Sequence, residues 1–159
     1  MTVCIFHANC ADGFGAAWVV RKALGEIDFH GAKYQEPPPD VTGKDVVMVD
    51  FSYKRPVLLE MAEKANSILI LDHHKTSAED LVDLPTNVTA KFDMNRSGAM
   101  LTWEHFFPGE TPPPLLLHIE DRDLWRFALQ NTRQIQANVF SFPYDFQVWD
   151  MLMAAAPAA

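Results

Sequence analysis

The chain has 159 residues, a formal net charge of −8 and 48% hydrophobic residues. A length of about 150 residues buries enough surface for one globular domain, and the apolar content excludes a disordered protein. No uninterrupted apolar run in the sequence approaches the length of about 20 residues that a helix needs to cross a bilayer. Broad binding to long nucleic acid is disfavoured, because such binding relies on phosphate neutralisation by Lys and Arg and this chain is acidic.

The N-terminus and the cysteines predict the compartment. The first residues lack the basic start and the long apolar stretch of a signal peptide. The two cysteines, Cys4 and Cys10, do not form a C-x-x-C pair and cannot build a disulfide framework. We therefore expect a cytoplasmic protein without a membrane partner.

Strand and helix patterns alternate over the first two thirds of the chain. Short apolar runs predict strands at 3–6, 27–34, 46–49, 68–71 and 88–92. Between them, the patterns predict helices at 13–25, 55–65 and 97–107, the last with Ser97 as its N-cap. The proline cluster at 37–39 predicts a loop. After the prolines at 112–114, the segments 115–121, 132–140 and 146–153 are predicted to be helical.

The central runs predict the type of sheet. Residues 46–49 and 68–71 are apolar at every position, without the polar alternation of a strand that faces water. Strands of this kind are covered by helices on both faces, as in parallel α/β proteins. We therefore predict an α/β fold with a Rossmann-like, mostly parallel sheet flanked by helices, and a helical C-terminal portion.

Three of the predicted strands end in histidine or aspartate. The first ends at His7, with Asp12 shortly after it, and the strand at 46–49 stops at Asp50. The strand at 68–71 is followed by Asp72, His73 and His74. In an open parallel sheet, ligands bind beyond the carboxyl ends of the strands, so we expect these side chains to meet at one edge.

A cluster of this composition is typical of a metal site. Carboxylates held close together repel each other unless cations lie between them. Histidine and aspartate are the ligands expected for manganese, iron, cobalt or zinc, and two ions bridged by a carboxylate can generate a hydroxide and hold a phosphoryl group. A single aspartate at a strand end is more often a cap, and the Asp-His-His tripeptide alone is a weak signal. Repetition at three strand ends favours the metal site.

These residues belong to five blocks whose order resembles the DHH phosphoesterase superfamily, in particular bacterial DHH phosphohydrolases similar to oligoribonucleases of the nano-RNase type. The resemblance runs from His7 to about Trp149. The blocks are HANCADG at 7–13, VDFSY at 49–53, LDHHK at 71–75, FDMNRSGA at 92–99 and IEDRDLW at 119–125.

The resemblance implies two divalent ions, usually Mn²⁺ with Zn²⁺, Co²⁺ or Mg²⁺ as alternatives, that activate water against a phosphodiester or phosphoanhydride. By position, His7 would bind the first ion and Asp12 the second, with Asp50 bridging them. His73 would join the second ion, and Asp121 would complete the ligand set.

The remaining roles concern the substrate and the orientation of the ligands. The resemblance implies that His74 acts on the substrate phosphate as a donor or acid, and that Asp72 orients a neighbouring histidine. Arg96 is a candidate phosphate contact, because a guanidinium matches two phosphate oxygens; a solvated loop arginine is the equal alternative. Cys10 stands where the wider family has an aspartate, so it is either a soft ligand that favours zinc or an inert residue in a tight turn. Asn9 beside it offers an amide oxygen.

The length is the second departure from the family pattern. Family members usually carry a C-terminal DHH-associated domain that holds the substrate, and no comparable glycine-rich segment follows Trp125. We expect a single DHH catalytic domain over 1–153, a disordered tail over 154–159, and no DHH-associated domain. The substrate would then be covered by a partner chain, by the helical end at 115–153 or by nothing at all, and a homo-oligomer is a further alternative.

The expected function is a metal-dependent phosphodiesterase or phosphohydrolase. Its substrate would be small, such as a short RNA or DNA oligonucleotide or a mono- or dinucleotide, because the acidic chain has no evident basic stripe. The alternatives are a pyrophosphatase- or nucleotide phosphatase-like hydrolase, a non-catalytic nucleotide- or metal-binding module, and one subunit of a two-chain enzyme.

Overall fold

Residues 1–155, which the computed structural model describes, form an α/β fold with a five-stranded sheet. The predicted α/β class is thereby confirmed. The strands are β1 Thr2–His7, β2 Asp28–Ala32, β3 Asp45–Val49, β4 Ser67–Asp72 and β5 Val88–Phe92. The helices are α1 Ala11–Leu24, α2 Arg55–Lys64, α3 Lys75–Asp80, α4 Gly98–Phe106, α5 Pro114–Asp123, α6 Thr132–Phe140 and α7 Phe146–Ala154.

The sheet has the strand order β2-β1-β3-β4-β5, and every neighbouring pair is parallel. The chain adds β2 on one side of β1 and then returns to add β3, β4 and β5 on the other side. The crevice between the carboxyl ends of β1 and β3 is therefore the point where the strand order reverses, which is where α/β proteins of this kind bind ligands.

Both faces of the sheet are covered, which explains the fully apolar strands. Along β3, Val47 and Val49 pack into a core with helices α1, α4, α5 and α7, while Val46 and Met48 pack into a second core on the opposite face. The second core contains Leu58 of α2. Successive side chains of a strand point to opposite faces, so an unbroken apolar run can serve two cores at once.

The helices agree with the sequence-based expectations except at two places. Ser97 caps α4 as predicted, because its hydroxyl accepts a hydrogen bond from the Met100 amide. Helix α3 was not predicted: it has six residues and no buried side chain, so it has no apolar face to reveal it. Helix α7 includes Ala154, the first residue of the predicted tail, and 156–159 lie outside the described residues. Within 1–155, no helix is both long and apolar enough to cross a membrane.

Candidate metal centre

The three strand ends meet at the crevice where the strand order reverses. His7 is the last residue of β1, Asp50 follows β3 directly, and Asp72 ends β4. The side chains of His7 and His73 both approach the Asp50 carboxylate, at 3.6 Å and 2.9 Å respectively. The sequence-based expectation that these residues lie together thus agrees with their positions in the structure.

Asp50 lies at the middle of the cluster, and its two oxygens face different histidines. Oδ2 lies 3.6 Å from His7 Nδ1, and Oδ1 lies 2.9 Å from His73 Nε2. The side chain is almost fully buried. Burial by itself raises the pKa of Asp50, but hydrogen bonds from His7 and His73 and the histidine charges outweigh it and lower the pKa to about 2. The carboxylate therefore stays ionised, with one oxygen available on the side of His7 and the other on the side of His73.

The backbone at Asp50 is unusual and explains this placement. Its φ is +54°, in the left-handed region that aspartate and asparagine tolerate better than most residues. Its amide still donates to the Leu71 carbonyl, which continues the β3–β4 ladder by one bond. The chain thus turns sharply at the strand end while the carboxylate stays at the edge of the sheet.

On one side of Asp50, His73 faces two further carboxylates. His73 Nε2 lies 3.4 Å from Asp12 Oδ2 and 3.6 Å from Asp123 Oδ2. Ligand atoms of Asp12, His73 and Asp123 all lie within 4.8 Å of one another. Burial lowers the pKa of His73, but the hydrogen bond and charge of Asp50 and the charge of Asp123 raise it overall. One imidazole is thus surrounded by three acids.

The other side of Asp50 holds His7 and Cys10. Ligand atoms of His7, Cys10 and Asp50 lie within 4.8 Å of one another, and Cys10 Sγ donates to Asp50 Oδ2 at 3.7 Å. Burial and the Asp50 charge raise the pKa of the Cys10 thiol to about 12. The group is therefore neutral at physiological pH without a cation, and only a bound metal would draw off its proton.

Asp12 is held by the start of helix α4. Its carboxylate accepts hydrogen bonds from the Gly98 amide at 2.8 Å and the Ala99 amide at 2.9 Å. Helix N-termini stabilise negative charge in this way. Burial and the charges of Asp50 and Asp123 nevertheless raise its pKa well above the ordinary value. The crowding of three carboxylates is thus only partly relieved by the protein itself.

Two glycines allow this close approach. A Cβ atom on Gly98 would lie 2.6 Å from Asp50 Cβ, and one on Gly13 would collide with the His7 carbonyl oxygen. Side chains at these positions would push the starts of α4 and α1 away from the strand ends. The glycines in the HANCADG and FDMNRSGA blocks are therefore needed for close packing at the cluster.

Asp72 and His74 form a pair beside the cluster. His74 Nδ1 lies 2.7 Å from Asp72 Oδ1, and the fully buried Asp72 also accepts from the Ser52 hydroxyl at 2.7 Å and the His73 amide at 2.8 Å. The hydrogen bond and charge of Asp72 raise the pKa of His74, although burial opposes them. Asp72 thus lies within ion-pair distance of the His74 ring, and its role in orienting a histidine stays a prediction.

Asp121 lies apart from the cluster, which corrects the ligand set expected from the sequence. Its carboxylate accepts hydrogen bonds from the Ala128 amide at 2.7 Å, the Leu129 amide at 3.0 Å and the Thr132 hydroxyl at 2.6 Å. These hydrogen bonds stabilise the conformation of the loop between α5 and α6. The carboxylate beside His73 belongs to Asp123, at the end of α5.

Helical spacing explains why only one of the two aspartates reaches the cluster. Residues two apart on a helix differ by about 200° around its axis, so Asp121 and Asp123 point to nearly opposite sides. Leu116 and Ile119, which pack near Gly15 of α1, lie on the same stripe as Asp123, seven and four residues before it. The position of Asp123 on this apolar stripe indicates that it faces α1 and the cluster. The sequence-based prediction overlooked this pattern and chose Asp121.

Substituting each aspartate separately distinguishes these roles. Asp123→Asn should leave the metal-free protein as stable or slightly more stable, because burial and the Asp50 charge raise the pKa of Asp123 and disfavour its charge. If the cluster holds Mn²⁺, the substitution should reduce the rise in Tm on adding Mn²⁺, since each tenfold loss of affinity removes about 1.4 kcal/mol of stabilisation by saturating metal. Differential scanning calorimetry with and without Mn²⁺ measures both effects.

Asp121→Asn is the matched control. It should lower the free energy of unfolding by about 1–3 kcal/mol, because buried donors lose their acceptor, and leave the Mn²⁺-induced rise in Tm unchanged. Burial raises the pKa of Asp121, but the hydrogen bonds from Thr132 and the two amides outweigh it and lower the pKa. Its stabilising contribution is thus present at neutral pH and lost as the pH falls through the lowered pKa. A smaller Mn²⁺ effect in Asp121→Asn than in Asp123→Asn would contradict the assignment.

The two predicted substrate contacts outside the cluster have different surroundings. Arg96 lies 3.0 Å from Glu104 and 3.4 Å from the buried Glu120, so its guanidinium is engaged by two acids and is not the solvated loop arginine that was one of the two alternatives. Glu120 also accepts from the Ser97 amide, which ties Arg96 to the start of α4. Asn9 is exposed in the β1–α1 turn with φ +57°.

No protein-family model matches the chain. The chain is similar to uncharacterized protein R106 of Acanthamoeba polyphaga mimivirus, with 32% identity over 168 aligned residues that cover 95% of this chain. It spans about 40% of the length of that relative. Among solved structures, it is similar to an uncharacterized protein from Helicobacter pylori G27, with a TM-score of 0.62 and 16% identity over 80% of this chain and 45% of that one. This likeness supports the α/β fold.

Proposed function

We propose that this protein is a metal-dependent phosphoesterase of the DHH type that hydrolyses a small phosphorylated substrate. The observation that carries the proposal is the position of the Asp50 carboxylate, with one oxygen toward His7 and Cys10 and the other toward His73. A carboxylate between two separate groups of ligands is suited to bridge two divalent ions.

The donor set and its charge fit a pair of such ions. The ion-pair partners found for Asp12, Asp50 and Asp123 within residues 1–155 are the histidines His7 and His73. Asp50, His7 and Cys10 would hold one ion, and Asp12, Asp123 and His73 the other, with Asp50 shared. Carboxylate and imidazole ligands suit Mn²⁺, whereas the thiol of Cys10 would favour Zn²⁺ at its side.

Bound divalent ions would supply a hydroxide nucleophile at neutral pH and neutralise charge on the phosphoryl oxygens. The chain's own contribution to the reaction comes from His74 and Asp72. The Asp72 carboxylate lies 2.7 Å from His74 Nδ1 and raises the pKa of His74, which favours the protonated ring. His74 is half-exposed and lines a cavity next to the cluster. From there, Nε2–H can donate to the leaving-group oxygen as the ester bond breaks.

Metal analysis together with a substrate panel tests the proposal. The purified chain is loaded with Mn²⁺, its metal content is measured by mass spectrometry, and hydrolysis of bis(p-nitrophenyl) phosphate, dinucleotides, AMP and pyrophosphate is followed. We expect two ions per chain and turnover that EDTA abolishes and Mn²⁺ restores.

Each outcome of the panel has a distinct meaning. Turnover of diesters or dinucleotides supports the phosphodiesterase, and turnover of AMP or pyrophosphate alone would replace it with a phosphatase or pyrophosphatase. Stoichiometric metal without any turnover would overturn the catalytic proposal in favour of a metal-binding module. Failure to bind Mn²⁺ or Zn²⁺ would overturn the metal centre itself.

A further inference from the structure

Glu120 is a buried carboxylate that lies outside both ligand groups of the candidate metal centre. It belongs to α5, and its contacts found within residues 1–155 are all with hydrogen-bond donors. These donors are the Ser97 amide and the guanidiniums of Arg96 and Arg126. Because a buried carboxylate needs such donors, it holds together the segments that supply them. Glu120 therefore ties α5 to the segment that precedes α4.

The two oxygens of Glu120 have different partners. Oε2 accepts a hydrogen bond from the Ser97 amide at 3.1 Å. Oε1 lies 3.4 Å from Nη1 of Arg96 and 3.9 Å from Nη1 of Arg126. Arg126 also donates to the Asn95 carbonyl at 3.1 Å. The segment 95–97 is thus held against the end of α5 through both its backbone and a side chain.

The backbone held by Glu120 leads directly to the donors that orient Asp12. Ser97 is fully buried and is the N-cap of α4. The next two amides, those of Gly98 and Ala99, donate to the two oxygens of the Asp12 carboxylate at 2.8 Å and 2.9 Å. A displacement of the Ser97 backbone would therefore move both donors and change the direction of Asp12.

Glu120 also shares a helix face with Asp123. The two residues are three apart on α5, so their side chains are neighbours on its surface. Asp123 Oδ2 and Asp12 Oδ2 both face Nε2 of His73, at 3.6 Å and 3.4 Å. Glu120 is thus connected to both carboxylates of this ligand group, to Asp123 through α5 and to Asp12 through the start of α4.

We infer that Glu120 is a positioning residue that sets the spacing of Asp12 and Asp123 for the ion that these two carboxylates and His73 would hold. The inference rests on the proposed function for the presence of that ion. It adds a residue outside the ligand set on which the affinity of one ion depends. Substituting residues that orient metal ligands typically weakens metal binding about 10- to 100-fold.

Glu120→Gln tests this with little change in side-chain shape. It replaces one acceptor oxygen by an NH₂ group, which must then face the N–H donors of either Ser97 or the two arginines. We titrate the metal-free full chain with Mn²⁺ by isothermal titration calorimetry. We expect one of the two ions to bind about 10- to 100-fold more weakly and the affinity of the other to stay unchanged.

Amide hydrogen exchange provides a second measurement that needs no metal. By NMR of the metal-free chain, the Gly98 and Ala99 amides should exchange about tenfold faster in Glu120→Gln, because the start of α4 loses a hydrogen bond to a charged acceptor. Amides in the central strand β3 should keep their exchange rates. Faster exchange confined to the start of α4 distinguishes positioning of Asp12 from a general loss of stability.

Glu104→Gln is the matched control. Glu104 is the other acid beside Arg96, at 3.0 Å, but it is exposed and does not contact Ser97. This substitution should change neither the Mn²⁺ affinities nor the exchange of Gly98 and Ala99. Arg126→Gln leaves the Glu120 carboxylate in place and removes the contacts of Arg126. It should produce the same changes as Glu120→Gln at smaller size, and it provides the test if Glu120→Gln does not fold.

The outcomes separate this inference from the proposed function. Two ions bound by Glu120→Gln with unchanged affinities, equal weakening of both ions, or unchanged exchange at Gly98 and Ala99 would overturn the positioning role and leave the metal centre standing. If the unsubstituted chain binds no Mn²⁺, the proposed function is overturned. The exchange rates of Gly98 and Ala99 would then decide by themselves whether Glu120 holds the donors of Asp12 in place.

Discussion

Asp50→Asn is expected to lower the kcat of Mn²⁺-dependent phosphodiester hydrolysis at least about a hundredfold. Metal ions contribute several kcal/mol to transition-state stabilisation, and each 1.36 kcal/mol corresponds to a factor of ten. The neutral amide offers one oxygen where the carboxylate offers two, so it cannot face His7 and His73 equally. Asparagine also tolerates the φ of +54° at this position, which keeps the local backbone intact.

Asp83→Asn is the matched control for this substitution. Asp83 also has a left-handed backbone, with φ +52°, but it is exposed in the α3–β5 connection away from the cluster. The Asp83→Asn protein should have the same activity and the same metal content as the unsubstituted chain. Full activity in Asp50→Asn, with two ions still bound, would exclude a bridging role for Asp50.

Gly98→Ala should strongly impair both folding and the metal centre, although it introduces a better helix former. In an exposed helix interior, alanine is preferred over glycine by about 1 kcal/mol. Here the new Cβ would lie 2.6 Å from Asp50 Cβ and 2.7 Å from its Oδ1. The start of α4 must shift, and with it the amides that hold Asp12. We expect the free energy of unfolding to fall by about 1–3 kcal/mol and the Mn²⁺-induced rise in Tm to be lost.

Gly15→Ala controls for the general effect of adding a methyl group to a buried helix. Its Cβ would lie 3.3 Å from the Ala99 methyl group, with side-chain atoms of Leu116 and Ile119 next nearest. These contacts are tight but involve only side-chain carbon atoms and none of the candidate ligands, so urea unfolding should show a small change and Mn²⁺ should still stabilise the protein. Equal stability and equal Mn²⁺ response in Gly98→Ala and the unsubstituted chain would contradict the proposed close packing.

The meeting of His7, Asp50 and the Asp72–His74 segment could be predicted from the sequence. Parallel strands all end at the same edge of a sheet, so three apolar runs that each stop at a polar residue must deliver those residues to one place. The parallel sheet could also be predicted from the sequence, because an unbroken apolar run is stable as a strand only between two helical layers. Neither inference required knowledge of any particular contact.

The side-chain contacts made by residues in loops and at helix ends could not be predicted in the same way. Tyr34 was predicted at the end of a strand over 27–34, but β2 ends at Ala32, and nothing in the sequence indicated that Tyr34 stacks on Phe51 beside His7. The sequence left Arg96 as either a phosphate contact or a solvated loop arginine, and it did not indicate that Glu104 and Glu120 approach it from two different helices. Such pairs join residues far apart in sequence, and no local pattern encodes them.

Composition, strand periodicity and the polar residues after each strand were sufficient to specify the α/β class and the edge at which the acids and histidines meet. The tertiary structure alone placed Asp123 and not Asp121 beside His73, divided the candidate ligands into groups on either side of Asp50, and formed the cavity that His74 lines. The physical reason is the range of the interactions involved. Hydrophobic periodicity is a local property of the chain, whereas the direction of a carboxylate depends on how one helix is rotated against another.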